Sequence, residues 1–235
     1  MTAPPFAAGI RGIALDAGNT LLWIDHARLA EVVTAAGFAT TPAAVRTAEI
    51  HARPRLDPLL GRTSRRESPG VFRAHIGFVL ENLGVDDPAV FAAAAADAAA
   101  VWGTLWCRPP DDAHSTVTTL HDRGYRVSCL SNSNGKVDRL LAAAGLLALL
   151  DDVVDSGAVG FEKPDPRIFR LAAERLALAP HEMVYVGDLH ALDVVGPRSA
   201  GMHAVLLDPL DAWAGVSAPR IRTLADLLPW LPGPR

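Results

Sequence analysis

Four short stretches carry side chains that could do chemistry, and each stands where an apolar run gives way to a turn. Residues 15–20 read LDAGNT, which puts the carboxylate of Asp16 after a strand-like run and before a Gly-Asn turn. A lone acid there is an ordinary turn residue or a nucleophile. Residues 126–135 read RVSCLSNSNG, so the hydroxyl of Ser131, Asn132 and the backbone N–H groups that follow precede a helical pattern. That arrangement suits either plain capping or an anion. Residues 160–166 read GFEKPDP and place Lys163, one of only two lysines, in a proline-braced loop. Finally, Gly187-Asp188 ends an apolar run and Asp193 lies five residues on. Two carboxylates bracketing one turn suit a hard divalent cation, with Mg²⁺ favoured where a phosphate is also present.

The elements needed to bring these groups together can be read from pattern. Strand-like runs recur at 10–16, 126–131, 152–155, 183–187 and 203–207, separated by helical patterns at 111–123, 135–144, 165–177, 191–200 and 223–231. Strands alternating with helices predict an α/β fold with a doubly wound parallel sheet, whose ligands gather at the C-terminal strand ends. From about residue 22 to residue 108 the alternation stops. That block holds no convincing strand and reads as helices over 25–37, 42–53, 67–84 and 87–106, with Asp87-Pro88 as an acidic N-cap before a first-turn proline. It reads as a helical insertion, 22–108, in a core made of 1–21 and 109–235.

Composition narrows the function classes. The chain has 235 residues, half of them hydrophobic, with 22 basic and 26 acidic side chains and a formal charge of −4. It is long and apolar enough for a real core, and the acidic balance gives no field for nucleic acid. The Ala-rich run at 92–100 contains Asp97 and is too short to span a bilayer, so no membrane association is expected. Two cysteines and no secretory-type start point to the reducing cytoplasm.

Taken in order, the four stretches make the chain resemble the haloacid dehalogenase (HAD) superfamily, and EKPDPRIF with GPRSAGMHAVLL resembles its rhythmically-expressed-gene-2-like, or HAD-like hydrolase domain-containing protein 3, branch. The resemblance implies a Rossmann-like core with a helical C1 cap, and a hydrolase acting on a small phosphorylated metabolite through an aspartyl phosphate. It implies Asp16 as nucleophile, Mg²⁺ on Asp16, the carbonyl of Gly18 and Asp188 with Asp193 behind them, and Ser131, Asn132 and Lys163 around the phosphoryl group. No protein partner is implied.

One position departs from the family pattern. Where its phosphatases carry an acid two residues after the nucleophile, this chain has Gly18. General acid–base help is worth about 10² to 10⁴-fold, so its loss weakens turnover of poor leaving groups first. Asn19 cannot act as an acid, and His26 and His190 are conceivable substitutes. Two alternatives stay open: a phosphate- or Mg²⁺-binding protein with vestigial catalysis whose cap surface recruits a partner, and a 2-haloacid dehalogenase, disfavoured by retention of Asp188 and Asp193. A Schiff-base route is disfavoured because the insertion has no lysine. Six arginines between Arg53 and Arg73 read as a solvated face from which one or two could reach a second anionic group. Phe72, Phe78 and Trp102 are expected in the core of the insertion.

Overall fold

The computed structural model describes residues 5–6, 9–60 and 69–234. A parallel sheet of six strands forms the core: β1 (Gly12–Leu15), β4 (Arg126–Ser131), β5 (Asp152–Asp155), β6 (Met183–Gly187), β7 (His203–Leu207) and β8 (Arg220–Ile221), in the order β5-β4-β1-β6-β7-β8. The chain reverses direction of travel across the sheet at β1, the topological switch point where ligands of such sheets collect. Alternate residues of each strand feed opposite layers. Ile13, Leu15, Val127, Cys129, Val184 and Val186 pack on one side, and Ala14, Leu130, Met183 and Tyr185 on the other. Helices α5 (Ala113–Asp122) and α6 (Val137–Ala143) cover the first side, and α8 (Pro166–Arg175) and α9 (Gly196–Ala200) the second; the short α7 (Ser156–Val159) follows β5.

The inserted block contains α1 (His26–Ala35), α2 (Pro42–Leu60), α3 (Pro69–Leu83) and α4 (Pro88–Val101) around its own apolar cluster of Leu29, Val33, Val45, Ile76, Leu80, Ala94 and Ala98. Asp87 caps α4 as expected, its carboxylate accepting from the N–H groups of Ala89 and Val90. Phe72 and Trp102 pack together at 4.3 Å, and Trp106 bridges this cluster to the core of the sheet.

Several expectations need correction. The block is not free of strands: β2 (Trp23–Ile24) and β3 (Trp106–Arg108) pair antiparallel at its two ends. Strands of two or three residues carry no readable alternation. Helix α2 does not stop before Pro54 but runs through Pro54 and Pro58 to Leu60. Each proline removes one backbone donor, and packing of Leu56 and Leu60 against the sheet-side cluster offsets that loss. The expected helix at 191–200 is a π-helical turn, Ala191–Val195, followed by α9, and the last helix is a 3₁₀ segment, Leu224–Trp230. Strand β8 was not anticipated. Cys107 and Cys129 are unbridged, and no described helix is long and apolar enough to cross a membrane.

Candidate active site

Asp16 is the first residue past β1, and its N–H still bonds to the carbonyl of Val186 at 2.8 Å, so the side chain is fixed at the C-terminal edge of the sheet. In the turn that follows, Leu22 N–H donates to Ala17 O and Asn19 N–H donates to Leu22 O, both at 2.7 Å. These bonds belong to the neighbours of Gly18 and do not use its carbonyl. The left-handed residue of the turn is Asn19, at φ 58°.

Lys163 is wholly buried, and its Nζ lies 2.8 Å from Asp16 Oδ1, 2.7 Å from Asp193 Oδ1 and 2.7 Å from the hydroxyl of Tyr185. An ammonium has three N–H groups, so these three acceptors match its full complement. Tyr185 passes its own proton to Leu130 O at 3.1 Å, which turns its lone pairs toward the lysine. The backbone of Lys163 is clamped by Asn132, whose Oδ1 accepts from Lys163 N at 2.7 Å and whose Nδ2 donates to Lys163 O at 2.9 Å. The side chain of Asn132 thus spends its oxygen and one amide N–H on the lysine loop, leaving its second amide N–H and its main chain.

Asp188 and Asp193 are also wholly buried. Asp193 Oδ2 accepts the N–H groups of Asp188 and Leu189 at 3.1 and 3.0 Å, so this residue reaches back to shape the loop that carries Asp188. Gly187 makes that reach possible, because a Cβ there would lie 2.3 Å from Asp193 Cγ. Burial pushes the carboxyl of Asp193 up to about 6 against the pull of Lys163, with Asp16 and Asp188 adding to the rise. Ligand oxygens of Asp16, Asp188 and Asp193 lie within 4.8 Å of one another. Three clustered carboxylates with one of them pushed toward neutrality are undercompensated, and hard oxygen donors so placed fit a divalent cation such as Mg²⁺.

Ser131 ends β4 on the strand beside β1, where Cys129 is opposite Leu15, so it reaches the same edge as Asp16. The helix start after it is not an open anion site. The N–H groups of Gly135 and Val137 already donate to the carboxylate of Asp155, at 3.1 and 3.3 Å.

The insertion contributes residues that the motif reading missed. Glu49 and Arg53 of α2 are buried and paired, with Nε to Oε1 at 3.0 Å and the terminal nitrogen to Oε2 at 2.6 Å. Asn19 Nδ2 lies 3.2 Å from Glu49 Oε1 and 3.3 Å from Asp188 Oδ2, while Arg53 Nε is 3.6 Å from the same Asp188 oxygen. Two imidazoles face Glu49: His75 Nε2 at 3.4 Å and His26 Nε2 at 3.7 Å. Burial alone would raise the Glu49 carboxyl, but Arg53 and the two histidines together hold it well below the usual carboxylate range. The i, i+4 spacing of Glu49 and Arg53 was visible in the sequence; their burial was not. Of the described part of the arginine-rich segment, Arg55 pairs with Glu81 on the surface and Arg53 enters the site, while Arg62, Arg65, Arg66 and Glu67 lie outside the described residues. His190 faces Asp57 at 3.3 Å and packs beside Trp213.

A cavity of about 610 Å³ lies where insertion, ribbon and core meet, lined by Trp23, His26, Arg46, Arg108, Leu207 and Leu224 among others. Arg46 and Arg53 flank the Trp23 ring, 5.0 and 5.2 Å from its centre.

Residues 10–201 match the family described as haloacid dehalogenase-like hydrolase. The chain is 36% identical over 127 residues to haloacid dehalogenase-like hydrolase domain-containing protein 3 of Homo sapiens, covering 52% of this chain and 51% of that protein. It is 38% identical over 102 residues to a glyceraldehyde 3-phosphate phosphatase of Methanothermobacter thermautotrophicus, covering 43% and 45%. The matched stretch spans about half the length of such curated relatives. Among solved structures, a HAD phosphatase from Thermococcus onnurineus is similar at a TM-score of 0.61 and 26% identity, covering 96% of this chain and 100% of that one.

Proposed function

Because the chain belongs to the haloacid dehalogenase-like hydrolases, we propose that it is a Mg²⁺-dependent phosphatase of small phosphate esters that works in the cytoplasm through an aspartyl phosphate on Asp16. The observation that carries this reading is the buried group of Asp16, Lys163, Asp188 and Asp193 at one strand edge. So many charges are costly to bury unless a ligand uses them. We take 22–108 as the cap and 1–21 with 109–235 as the core, with the β2–β3 ribbon joining them.

A phosphate monoester is a dianion, and a carboxylate nucleophile approaches it only where charge is compensated and the approach is in line. Asp16, the carbonyl of Gly18 and Asp188 would hold the ion, with Asp193 behind them shaping the loop. When bound, Mg²⁺ supplies the positive charge that lets nucleophile and dianion meet. Lys163 adds a second charge, fixed in place by Tyr185 and Asp193. Once Asp16 is esterified its negative charge is gone, and the N–H that Lys163 gave to Asp16 can turn to a phosphoryl oxygen. Ser131 and the main chain of Asn132 supply neutral donors at the same edge.

The test is a screen of p-nitrophenyl phosphate, alkyl phosphates and 2-haloacids with Mg²⁺ and with EDTA. Phosphate release that needs Mg²⁺ and disappears in Asp16→Asn is expected. Halide release without any phosphatase activity would replace this reading with dehalogenation, and ion binding with no turnover of any ester would leave a vestigial binding protein.

A further inference from the structure

Gly18 leaves the turn after the nucleophile without an acid, yet a buried carboxylate that the reaction above does not use stands directly over that turn. Glu49 Oε1 accepts from the side chain of Asn19, the residue next to Gly18, at 3.2 Å. With Arg53 holding it by two hydrogen bonds, Glu49 stays ionised and cannot itself be the proton donor. A buried ionised carboxylate is, however, a fitting partner for an imidazole that gives and takes a proton, since it orients the ring and stabilises its charged form.

The two imidazoles facing Glu49 differ in what else they touch. His75 is 5% exposed and sets its ring edge-on to Trp102 at 5.3 Å, inside the cap. His26 opens α1 directly after the ribbon and lines the cavity of about 610 Å³ between cap and core. Of the two rings facing Glu49, His26 is thus the one that also borders open space. His190 is engaged elsewhere, with Asp57 and Trp213.

We infer that His26, oriented by Glu49, is the general acid and base of this site. The inference rests on the phosphatase reading. In the first step the bond from Asp16 to phosphorus forms, the ester P–O bond breaks, and the leaving oxygen takes the proton of His26. In the second, water attacks the acyl phosphate, its proton passes to His26, and the bond from phosphorus to Asp16 breaks. Proton and charge balance over the cycle with water as the only co-reactant.

The experiment compares kcat/KM for p-nitrophenyl phosphate and ethyl phosphate, both with Mg²⁺, in the wild-type chain, His26→Gln and His26→Asn. Nitrophenolate leaves without a proton and ethoxide does not. The ethyl ester should therefore lose about 10²-fold or more and the aryl ester less than about tenfold, widening the ratio of the two. Adding Gly18→Asp to His26→Gln should narrow the ratio again by returning an acid to the core. Thermal melting and Mg²⁺ calorimetry verify that fold and ion site are intact, and the two substitutions guard against one of them failing to fold. An equal loss on both esters, or no loss, overturns the role of His26 while leaving the phosphatase reading standing. No turnover of either ester by the wild-type chain overturns both.

Discussion

Lys163 is the residue on which the charge balance of the site turns. Its ammonium touches two carboxylates and a phenol, all wholly buried. Replacing it with Met removes the cation but leaves Asp16 and Asp193 side by side in the core. Breaking a buried ion pair from one side costs about 3 to 5 kcal/mol, and that loss should appear in urea denaturation at neutral pH. Mg²⁺ should recover part of the loss by supplying the missing charge; a Lys163→Met protein as stable as wild type without the ion would contradict the ion-pair geometry. Tyr185→Phe is the milder change. It takes one acceptor from the ammonium and one donor from Leu130 O, a loss of about 1 to 3 kcal/mol, with fold and Mg²⁺ affinity retained.

At the scale of elements, the strand-to-loop joint at the end of β6 decides where Asp188 points. The π-helical turn Ala191–Val195 brings Asp193 back under the loop, and a side chain at position 187 would occupy the same space. Gly187→Ala should force Asp193 off Lys163 and off the Asp188 N–H. Calorimetry should then register a drop in Mg²⁺ affinity of tenfold or more, whereas unchanged affinity would show that Asp193 does not order the loop. This joint also shows where reading the sequence succeeds and stops. Asp16 and Asp188 stood out because each directly follows a strand whose buried run is continuous, and such runs announce their own limits, whereas Lys163 stood out by its proline-braced loop and Asp193 by its spacing from Asp188. The ribbon β2–β3 and strand β8 did not, since two or three residues cannot display a period of two. Helix α2 was cut short at Pro54 because local rules end a helix there, and only tertiary packing of Leu56 and Leu60 carries it on. Tyr185 carries no signal of its own, standing inside a buried apolar strand. Nothing local reveals that the amide of Asn132 also holds the lysine backbone 31 residues away.

Over the whole molecule, cap and core are joined by buried polar contacts as well as by the ribbon. Asn19 and Arg53 meet at Asp188, and Asp57 accepts the N–H of Ala191 at 2.6 Å. Glu49 is the hub of the first of these contacts, and its ionisation should make the stability of that joint sensitive to acid. Its folded pKa lies well below the ordinary value, so the carboxylate form is favoured by folding. That contribution is fully present above the unfolded value of about 4.3 and is lost as pH falls from there toward the folded value. In Glu49→Gln the contribution is absent at every pH, and Arg53 is left beside Asp188 without its bidentate partner. The substitution should therefore cost about 3 to 5 kcal/mol at pH 7, and the gap to wild type should close as the pH is lowered below about 4. Urea midpoints measured from pH 7 downward, with tryptophan fluorescence as the probe, give the comparison directly, because Trp23 stacks against both Arg53 and Arg46 and reports on the joint between cap and core. A gap that stays constant across that range would mean that Glu49 is not held ionised by its neighbours, and the partner assigned to His26 would lose its charge with it.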